Sequence, residues 1–230
     1  MKIVLENVRA KRGDWSLACG GEFTPGTHLL TGDVGCGKTT LALMLAGFFP
    51  PTAGSIKKEG ISSEMISFQF PEYHITGSTL ADECRSWGLD PLEILSRENI
   101  CRTQNTDPLS LSRGELKRLH LACLLEKEYD LLILDEPFSS LDCSEKERYC
   151  RTISRKNRGI TIIITHEQSF FPRIDYLWEI CRGNLVCRGK TPDAIHHWEH
   201  APPVIKKLIE AGRVPRNLAP EDLLEAACRM

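Results

Sequence analysis

The chain contains no apolar run long enough to cross a bilayer as a helix. The longest runs, such as 41–49 and 160–164, fall well short of the roughly 20 residues that a spanning helix requires. The first residues also lack the long apolar stretch of a secretory signal. We therefore expect a soluble protein of the cytoplasm.

An excess of charge of either sign is also missing. The 29 Lys and Arg and the 31 Asp and Glu leave a formal net charge of −2 at pH 7. Proteins that bind nucleic acid usually carry a clustered basic surface. Nucleic acid is therefore not an expected partner.

No two cysteines form a CxxC pair, although the chain has ten. Cysteines scattered through helical and strand patterns favour reduced, buried thiols over a disulfide framework. Cys36 differs, because it stands in a glycine-rich segment beside Lys38 at a predicted helix start, where a thiol becomes reactive. We predict that alkylation of Cys36 blocks ligand binding at that segment.

Short apolar runs alternate with helical patterns along the chain. Such alternation predicts an α/β fold built on a parallel sheet. Runs bounded by charge or by turn residues predict the strands. The predicted strands are 3–8, 15–18, 27–31, 53–56, 65–70, 131–134, 160–164, 178–180 and 185–187.

The stretch 72–128 shows no strand pattern, and apolar residues recur at helical spacing from Arg113 to Glu128. This predicts a helical subdomain inserted between two strands of the sheet. From Pro192 onward the chain is expected to be helical and polar.

The segment TGDVGCGKTT, 31–40, follows the predicted strand 27–31. Its glycine spacing, which ends in Lys38-Thr39, is the phosphate-loop pattern. Backbone N–H groups can face phosphates there, with Lys38 on the β- and γ-phosphates and the Thr39 hydroxyl on Mg²⁺. The structural alternative is a glycine-rich turn before a helix. The predicted nucleotide-binding residues are Gly32, Asp33, Val34, Gly35, Cys36, Gly37, Lys38, Thr39 and Thr40.

Two carboxylates, Asp135 and Glu136, follow the apolar run 131–134. The carboxyl end of a parallel strand is where open α/β sheets bind ligands. Asp135 is predicted to hold Mg²⁺, and Glu136 to act as general base on the attacking water. A strand followed by a polar turn is the alternative, and the upstream phosphate loop disfavours it.

The segment Leu111-Ser112-Arg113-Gly114-Glu115 leaves two interpretations open. Ser112 and Glu115 form the S-x-x-E pattern of a helix-capping box. The same helix start also presents N–H groups and a hydroxyl that suit an anion. Three further polar segments follow predicted strands on the same edge of the sheet, namely Gln69, 139–142 and His166.

In this order the segments resemble the ATPase subunit of ABC transporters. The resemblance covers residues 1 to about 190 and implies a P-loop NTPase core of the ABC ATPase type. It adds an antiparallel β subdomain, a small helical subdomain at about 72–128 and a helical C-terminal extension. The ATPase domain is then 1–195, and the extension, 196–230, is expected to help subunits pair.

The resemblance also implies a mechanism in which two domains meet head to tail around two ATP molecules. Lys38, Thr39 and Asp135 of one subunit hold ATP and Mg²⁺, and the partner completes the γ-phosphate shell. The partner residues are Ser112 and Gly114. The remaining implied roles are Glu136 as the residue that activates water, His166 on the γ-phosphate, Gln69 as γ-phosphate sensor and metal ligand, and Asp142 in communication across the dimer.

The segment FQFPEYHI, 68–75, and the C-terminal residues are similar to those of energy-coupling factor ATPases, which power importers of vitamins and metal ions. That similarity implies a transmembrane partner that docks near 70–76, a second ATPase subunit in a homo- or heterodimer, and a location on the cytoplasmic face of the membrane. Two departures stand out. Arg113 replaces the usual glycine of the signature, and no aromatic residue stands clearly at the adenine-stacking position, near which Trp15 is displaced and Arg12 is the alternative.

Three alternatives stay open from the sequence. A soluble ABC-type ATPase that serves no transporter is one, and a regulatory subunit that pairs with a different ATPase is another. The third concerns His196, His197 and His200, whose helical spacing permits a metal site. A solvated helical face is the favoured interpretation of these histidines.

Overall fold

Nine strands form a single sheet in the computed structural model, which describes residues 1–156 and 159–228. They are β1 (Lys2–Arg12), β2 (Trp15–Phe23), β3 (Gly26–Gly32), β4 (Ala53–Glu59), β5 (Glu64–Ser67), β6 (Leu131–Asp135), β7 (Ile160–Ile164), β8 (Tyr176–Cys181) and β9 (Asn184–Lys190). Their order across the sheet is β4-β1-β2-β9-β8-β3-β7-β6-β5.

The half of the sheet from β8 to β5 is parallel. Every residue of β6 and β7 is buried, because one face of this half packs against β1, β2 and residues 41–45 and the other against residues 121–125 and 149–153. The other half is mostly antiparallel, with β1 paired to both β2 and β4 and β8 paired to β9. The predicted α/β fold with an antiparallel β subdomain is confirmed.

Seven α-helices lie in the described residues: α1 (Lys38–Leu45), α2 (Leu80–Ser86), α3 (Pro91–Arg97), α4 (Arg113–Leu125), α5 (Cys143–Arg155), α6 (Pro203–Glu210) and α7 (Pro220–Cys228). Short 3₁₀ helices occupy Pro71–His74, Pro108–Ser110 and Asp193–His197. Only helices and loops connect β5 to β6, as predicted for the inserted subdomain. α2, α3 and α4 share a core of their own, which includes Leu80, Ile94 and Leu119.

Most of the predicted strands were shorter than the observed ones, as for β1, β4 and β9, and two of the differences in length have an identifiable cause. β2 continues past the glycines at 20 and 21 to Phe23, because it keeps pairing with β1 as far as Ile3. β5 ends at Ser67 rather than Phe70, so Gln69 lies beyond the strand. The backbone leaves the ladder there because the Phe68 N–H donates to His74 Nε2, 2.9 Å away, and Pro71 has no N–H to donate.

The prediction of a polar C-terminal segment was also wrong. Trp198, Ala201, Ile205 and Leu218 are buried and pack into the same apolar cluster as strands β6 and β7. The polar residues between them hide this pattern in the sequence.

None of the ten cysteines lies in a disulfide. No helix among the described residues is both long and apolar enough to cross a membrane.

Candidate active site

A cleft of about 740 Å³ opens at the carboxyl ends of the parallel strands. Side chains from β6, from the loop after β5 and from the segment after β7 converge on it, beside the loop between β3 and α1. Ten of the predicted site residues line this cleft: Val34, Gly35, Gly37, Lys38, Thr39, Thr40, Gln69, Asp135, Glu136 and His166.

The loop between β3 and α1 needs its glycines for conformation and for space. Gly37 has φ 109°, in the region that favours glycine, and immediately precedes the first residue of α1. A Cβ at this position would lie 2.4 Å from the Trp15 ring. The loop therefore packs tightly and leads its N–H groups to the start of a helix, where anions bind.

Lys38 is buried and reaches back across the loop. Its Nζ donates to the carbonyl oxygens of Gly32, at 2.9 Å, and Asp33, at 2.8 Å. Cys36 Sγ lies 3.8 Å from the same ammonium group. Because both carbonyl acceptors are neutral, the positive charge of Lys38 remains available for an anionic ligand.

Thr39 and Asp135 join the loop to strand β6. The Thr39 hydroxyl donates to Asp135 Oδ2 over 2.7 Å, and Asp135 is only 4% exposed. Burial raises the pKa of Asp135, and the Thr39 hydrogen bond and the Lys117 and Lys38 charges oppose that rise. A hydroxyl and a carboxylate oxygen at one point are the oxygen ligands that Mg²⁺ prefers.

Glu136 stands directly after β6 with φ 49°, an uncommon value for a residue with a side chain. Its N–H donates to the Ile164 carbonyl, which fixes it beside the end of β7. Thr165 donates to Oε2 at 3.3 Å, whereas the buried Oε1 has no hydrogen-bond partner. Burial and the neighbouring Asp135 raise the pKa of Glu136 to about 7.

His166 lies at the mouth of the cleft. Its Nε2 is 3.7 Å from Glu136 Oε1, and its side chain is 46% exposed. Burial and the positive charge of Lys38 lower its pKa, while Asp135 opposes the shift. A neutral imidazole at neutral pH can contact a phosphate through a hydrogen bond without adding a charge next to Lys38.

Comparison with known sequences points to the same kind of site. A family model described as ABC transporter matches residues 22–139. The chain belongs to the ABC transporter family. It is 32% identical over 209 residues to the energy-coupling factor transporter ATP-binding protein EcfA1 of Thermotoga maritima, with 80% of each protein covered. EcfA2 of the same organism is 26% identical, over 87% of this chain and 86% of that protein.

A comparison of structures agrees on the fold. The structure of a bacterial Atm1-family ABC exporter with ATP bound superposes with a TM-score of 0.63 at 21% identity, over 80% of this chain and 38% of that one. At that identity the likeness concerns the fold alone. The family match and the relatives identify the chain as an ATP-binding ATPase that resembles the energy-coupling factor type.

Six of the predicted nucleotide-binding residues of this ABC ATPase lie outside the cleft. Ser112, Gly114 and Asp142 do not line it, and neither do Gly32, Asp33 and Cys36. The predicted capping box is confirmed, since Ser112 Oγ accepts from the Glu115 N–H and the Glu115 carboxylate accepts from the Ser112 N–H. Asp142 caps α5 in the same way, which the D-x-x-E pattern with Glu145 could have indicated.

A smaller pocket connects the signature to the Gln69 loop. Arg113 lines it together with Gln69, Glu72, Lys117 and Ser139. Lys117 is 1% exposed, and its Nζ donates to the Gln69 carbonyl oxygen at 3.1 Å. Burial lowers the pKa of Lys117 to about 8. The ABC signature helix thus holds the backbone of the Gln69 loop directly.

Sequence motifs did not indicate several of the residues that line the cleft. Trp15 and Arg12, which the family resemblance indicated, do line it, and Trp15 lies against Gly37. Other lining residues carry no motif, namely Ala10, Lys11, Phe49, Pro50, Thr52 and Ile164. Nothing in the sequence marks these residues, because 10–12, 49–52 and 164 are far apart in the chain. They meet beside the phosphate loop only in the fold.

The three histidines of the C-terminal segment are not brought together. His196 and His197 are exposed at the end of a 3₁₀ helix, whereas His200 lies beyond it. His200 Nδ1 is 2.7 Å from Glu179 Oε1. The helical spacing that suggested a metal site is therefore absent from the described structure.

Proposed function

We propose that this ATPase energises an importer of the energy-coupling factor type, which carries a vitamin or a metal ion across the membrane. The EcfA1 and EcfA2 relatives support this subtype, because the alignments cover 80% and 86% of their lengths. On this proposal the chain works at the cytoplasmic face of the membrane, held there by a transmembrane subunit.

An exposed aromatic surface beside the Gln69 loop is the observation that carries the proposed coupling to a membrane subunit. We define it by the exposed Phe48, Phe70 and Tyr73, of which Phe48 is 61% and Tyr73 is 73% exposed, and by Phe68, which is half-buried against the core. Ring centroids 5.6 to 6.3 Å apart connect the four side chains into one surface. Exposed apolar surfaces of this kind mark sites where another protein docks.

The backbone next to this surface is fixed. Glu83 is 2% exposed, and its Oε2 accepts the N–H groups of Thr76 and Gly77 at 2.9 and 2.8 Å. Its Oε1 accepts from Trp87 Nε1 at 2.8 Å. A buried carboxylate with three N–H donors holds the loop in one arrangement, so the surface is ready to transmit a movement of the Gln69 loop to a docked partner.

The residues of the cleft would divide the chemical work. Lys38 and the phosphate loop bind the phosphates, and Glu136 Oε1 accepts the proton of the attacking water. His166 and Gln69 orient the γ-phosphate and that water. Bound Mg²⁺ would offset the phosphate charge, and Thr39, Asp135 and Gln69 carry the oxygen atoms to hold it.

A second subunit would complete the site. Ser112, Gly114 and Asp142 lie outside their own cleft, which supports a role in the cleft of a partner that meets this chain head to tail. Closure of the two subunits on ATP, and reopening after hydrolysis, would then supply the movement. Both a second copy of this chain and a related ATPase satisfy this geometry.

Copurification with membrane subunits tests the proposal. The chain is tagged in its native host, membranes are solubilised in mild detergent, and the proteins that elute with it are identified. We expect an integral membrane protein at a fixed ratio, together with a small membrane protein that binds the substrate. A chain that elutes free of membrane proteins would contradict the proposal.

A second candidate function is a regulatory subunit that pairs with a different ATPase. Arg113 favours it, because a large cation replaces glycine at the signature and lies in the pocket beside Gln69. Glu136 and His166 favour hydrolysis by this chain itself. ATPase activity of the purified chain at a range of protein concentrations separates the two, since a regulatory subunit shows none.

A further inference from the structure

The C-terminal segment 198–200 lies directly behind the phosphate loop. Trp198 Nε1 donates to the Thr31 hydroxyl over 3.0 Å, and both side chains are buried. Thr31 is the residue before Gly32, whose carbonyl oxygen accepts from Lys38. One buried hydrogen bond therefore ties the C-terminal segment to the strand that leads into the phosphate loop.

Glu179 makes the second tie. It is fully buried on β8 and pairs with Thr31 in the parallel register. Its carboxylate accepts the backbone N–H groups of Glu199, at 3.1 Å, and His200, at 2.9 Å. The His200 imidazole also lies 2.7 Å from Glu179 Oε1. The segment is thus held against β8 by its own backbone.

His200 extends this contact to the phosphate loop itself. Its Nε2 lies 3.5 Å from Asp33 Oδ1, so the imidazole stands between the carboxylates of Glu179 and Asp33. The Asp33 carbonyl oxygen is the other acceptor of Lys38. Strand β8 also leaves no room for a side chain at Gly32, since a Cβ there would lie 2.8 Å from the Ile180 carbonyl oxygen.

A metal site is the competing interpretation of this cluster. Donor atoms of Glu179, Cys181 and His200 lie within 4.8 Å of one another. Arg188, however, already places a cation among them, with Nε 2.5 Å from Glu179 Oε2 and Nη2 3.5 Å from Cys181 Sγ. A divalent ion would have to displace this guanidinium, so we interpret the cluster as an ion pair that holds the segment.

We infer that Trp198 and His200 are positioning residues that set the affinity of the phosphate loop for ATP. The inference rests on the proposed role of that loop. Residues 31–33 carry the two carbonyl oxygens that hold Lys38, and the C-terminal segment fixes these residues at both ends. A loop released from the segment would lose part of its preorganisation for phosphate, although no group that reacts would change.

The test measures binding of a fluorescent ATP analogue and hydrolysis by the full-length chain. We expect Trp198→Phe, which keeps an aromatic ring but removes the donor to Thr31, to raise the dissociation constant about tenfold, and His200→Ala about threefold, as is typical of residues that couple to a site without contacting the ligand. The kcat at saturating ATP should change less than twofold. His197→Ala is the matched control, because His197 immediately precedes this segment and is exposed.

A double-mutant cycle separates positioning from general destabilisation. Thr31→Val removes the hydroxyl that accepts from Trp198 and that donates to the Trp178 carbonyl oxygen at 3.4 Å, so adding it to Trp198→Phe should weaken binding by much less than the product of the two single effects. If the two effects instead multiply, or if Trp198→Phe binds the analogue like the wild type at a temperature where both are folded, the inference is wrong. Lys38→Ala tests the underlying assignment: unchanged binding there would refute the proposed phosphate loop itself.

Discussion

At the scale of the residue, Glu136 is the group whose surroundings depart most from those of an ordinary carboxylate. Its Oε1 is buried without a hydrogen-bond partner, and its pKa is raised to about 7. A buried acceptor that the protein leaves unsatisfied normally carries a cost. A water molecule held for attack on the γ-phosphate would satisfy it, and this makes Glu136 the decisive residue to change.

We predict that Glu136→Gln lowers the kcat of ATP hydrolysis by about 100-fold or more, the usual size of a lost general base. The amide keeps the shape of the side chain, so the dissociation constant for ATP should stay within a few fold. Steady-state hydrolysis and nucleotide binding are measured on the same preparation. Glu93→Gln, an exposed carboxylate on α3, should change neither. Full activity of Glu136→Gln would remove Glu136 from the mechanism.

His28 supplies a pH-dependent prediction away from the site. It is fully buried, accepts from Trp178 Nε1 through Nδ1, and contacts the Thr24 carbonyl oxygen through Nε2. Burial lowers its pKa to about 4, against 6.5 for an exposed histidine. Below pH 6.5, His28 is therefore protonated in the unfolded chain but stays neutral in the folded chain. The free energy of unfolding falls for this reason as the pH drops towards 4.

We predict that His28 contributes about 2 kcal/mol to the loss of unfolding free energy between pH 7 and pH 5. His28→Gln cannot titrate, so its loss over that interval should be smaller by about this amount. Urea unfolding at the two pH values measures it. The exposed His197→Gln variant should keep the wild-type pH dependence, and an equal dependence in His28→Gln would show that His28 does not stay neutral.

At the scale of the element, Ser112 at the start of α4 has both a structural and a functional interpretation. As a cap its loss should cost about 1 kcal/mol of stability. Thr79 caps α2 within the same subdomain, where its hydroxyl accepts from the Asp82 N–H at 3.1 Å. Thr79 is therefore the natural comparison, because it is a cap with no proposed role at ATP.

We predict that Ser112→Ala and Thr79→Ala lose similar stability, whereas only Ser112→Ala loses ATPase activity, by tenfold or more as expected for a lost contact to the γ-phosphate. Thermal unfolding and hydrolysis are measured on both variants. Equal activities of the two variants would leave the capping box as the whole role of Ser112.

α3 and α5 are joined by a second feature of this scale, the carboxylate of Glu98. It is 2% exposed and accepts from Arg148 Nη1 and Nη2, at 3.0 and 2.5 Å, and from Tyr149 at 2.8 Å. We predict that Glu98→Gln lowers the unfolding free energy by about 2 kcal/mol, because an amide N–H would face these donors. Urea unfolding checks this, with Glu93→Gln on α3, the helix that Glu98 directly follows, as the neutral control.

At the scale of the whole molecule, the aromatic surface is the proposed contact with a membrane subunit. Tyr73→Ala and Phe70→Ser should leave the ATPase activity and the stability of the isolated chain nearly unchanged, since Tyr73 is 73% and Phe70 is 44% exposed. They should, however, abolish copurification with the membrane subunit. Leu92→Ala, which removes an exposed apolar side chain on α3, is the control. Retention of the membrane subunit by both aromatic variants would place the docking surface elsewhere.

Much of the site could be predicted because its motifs are local. The phosphate loop needs its glycines and Lys38 within a few residues of one another, and the capping box at Ser112 is a spacing of three. The ends of the strands were less predictable. β5 stops at Ser67 because His74, from the following 3₁₀ helix, accepts the Phe68 N–H and because Pro71 has no N–H to donate. Such a competition between partners leaves no periodic trace in the sequence.

The sequence alone determined the α/β class, the phosphate loop and the pair Asp135-Glu136, since each depends on neighbours in the chain and on the periodicity of one strand or helix. Only the tertiary structure decided that Glu136 Oε1 is left unsatisfied, that Trp198 and His200 stand behind residues 31–33, and that Phe48 joins Phe70 and Tyr73 on one surface. The burial of a side chain and the charges around it depend on segments that are distant in the sequence, and only the fold brings those segments together.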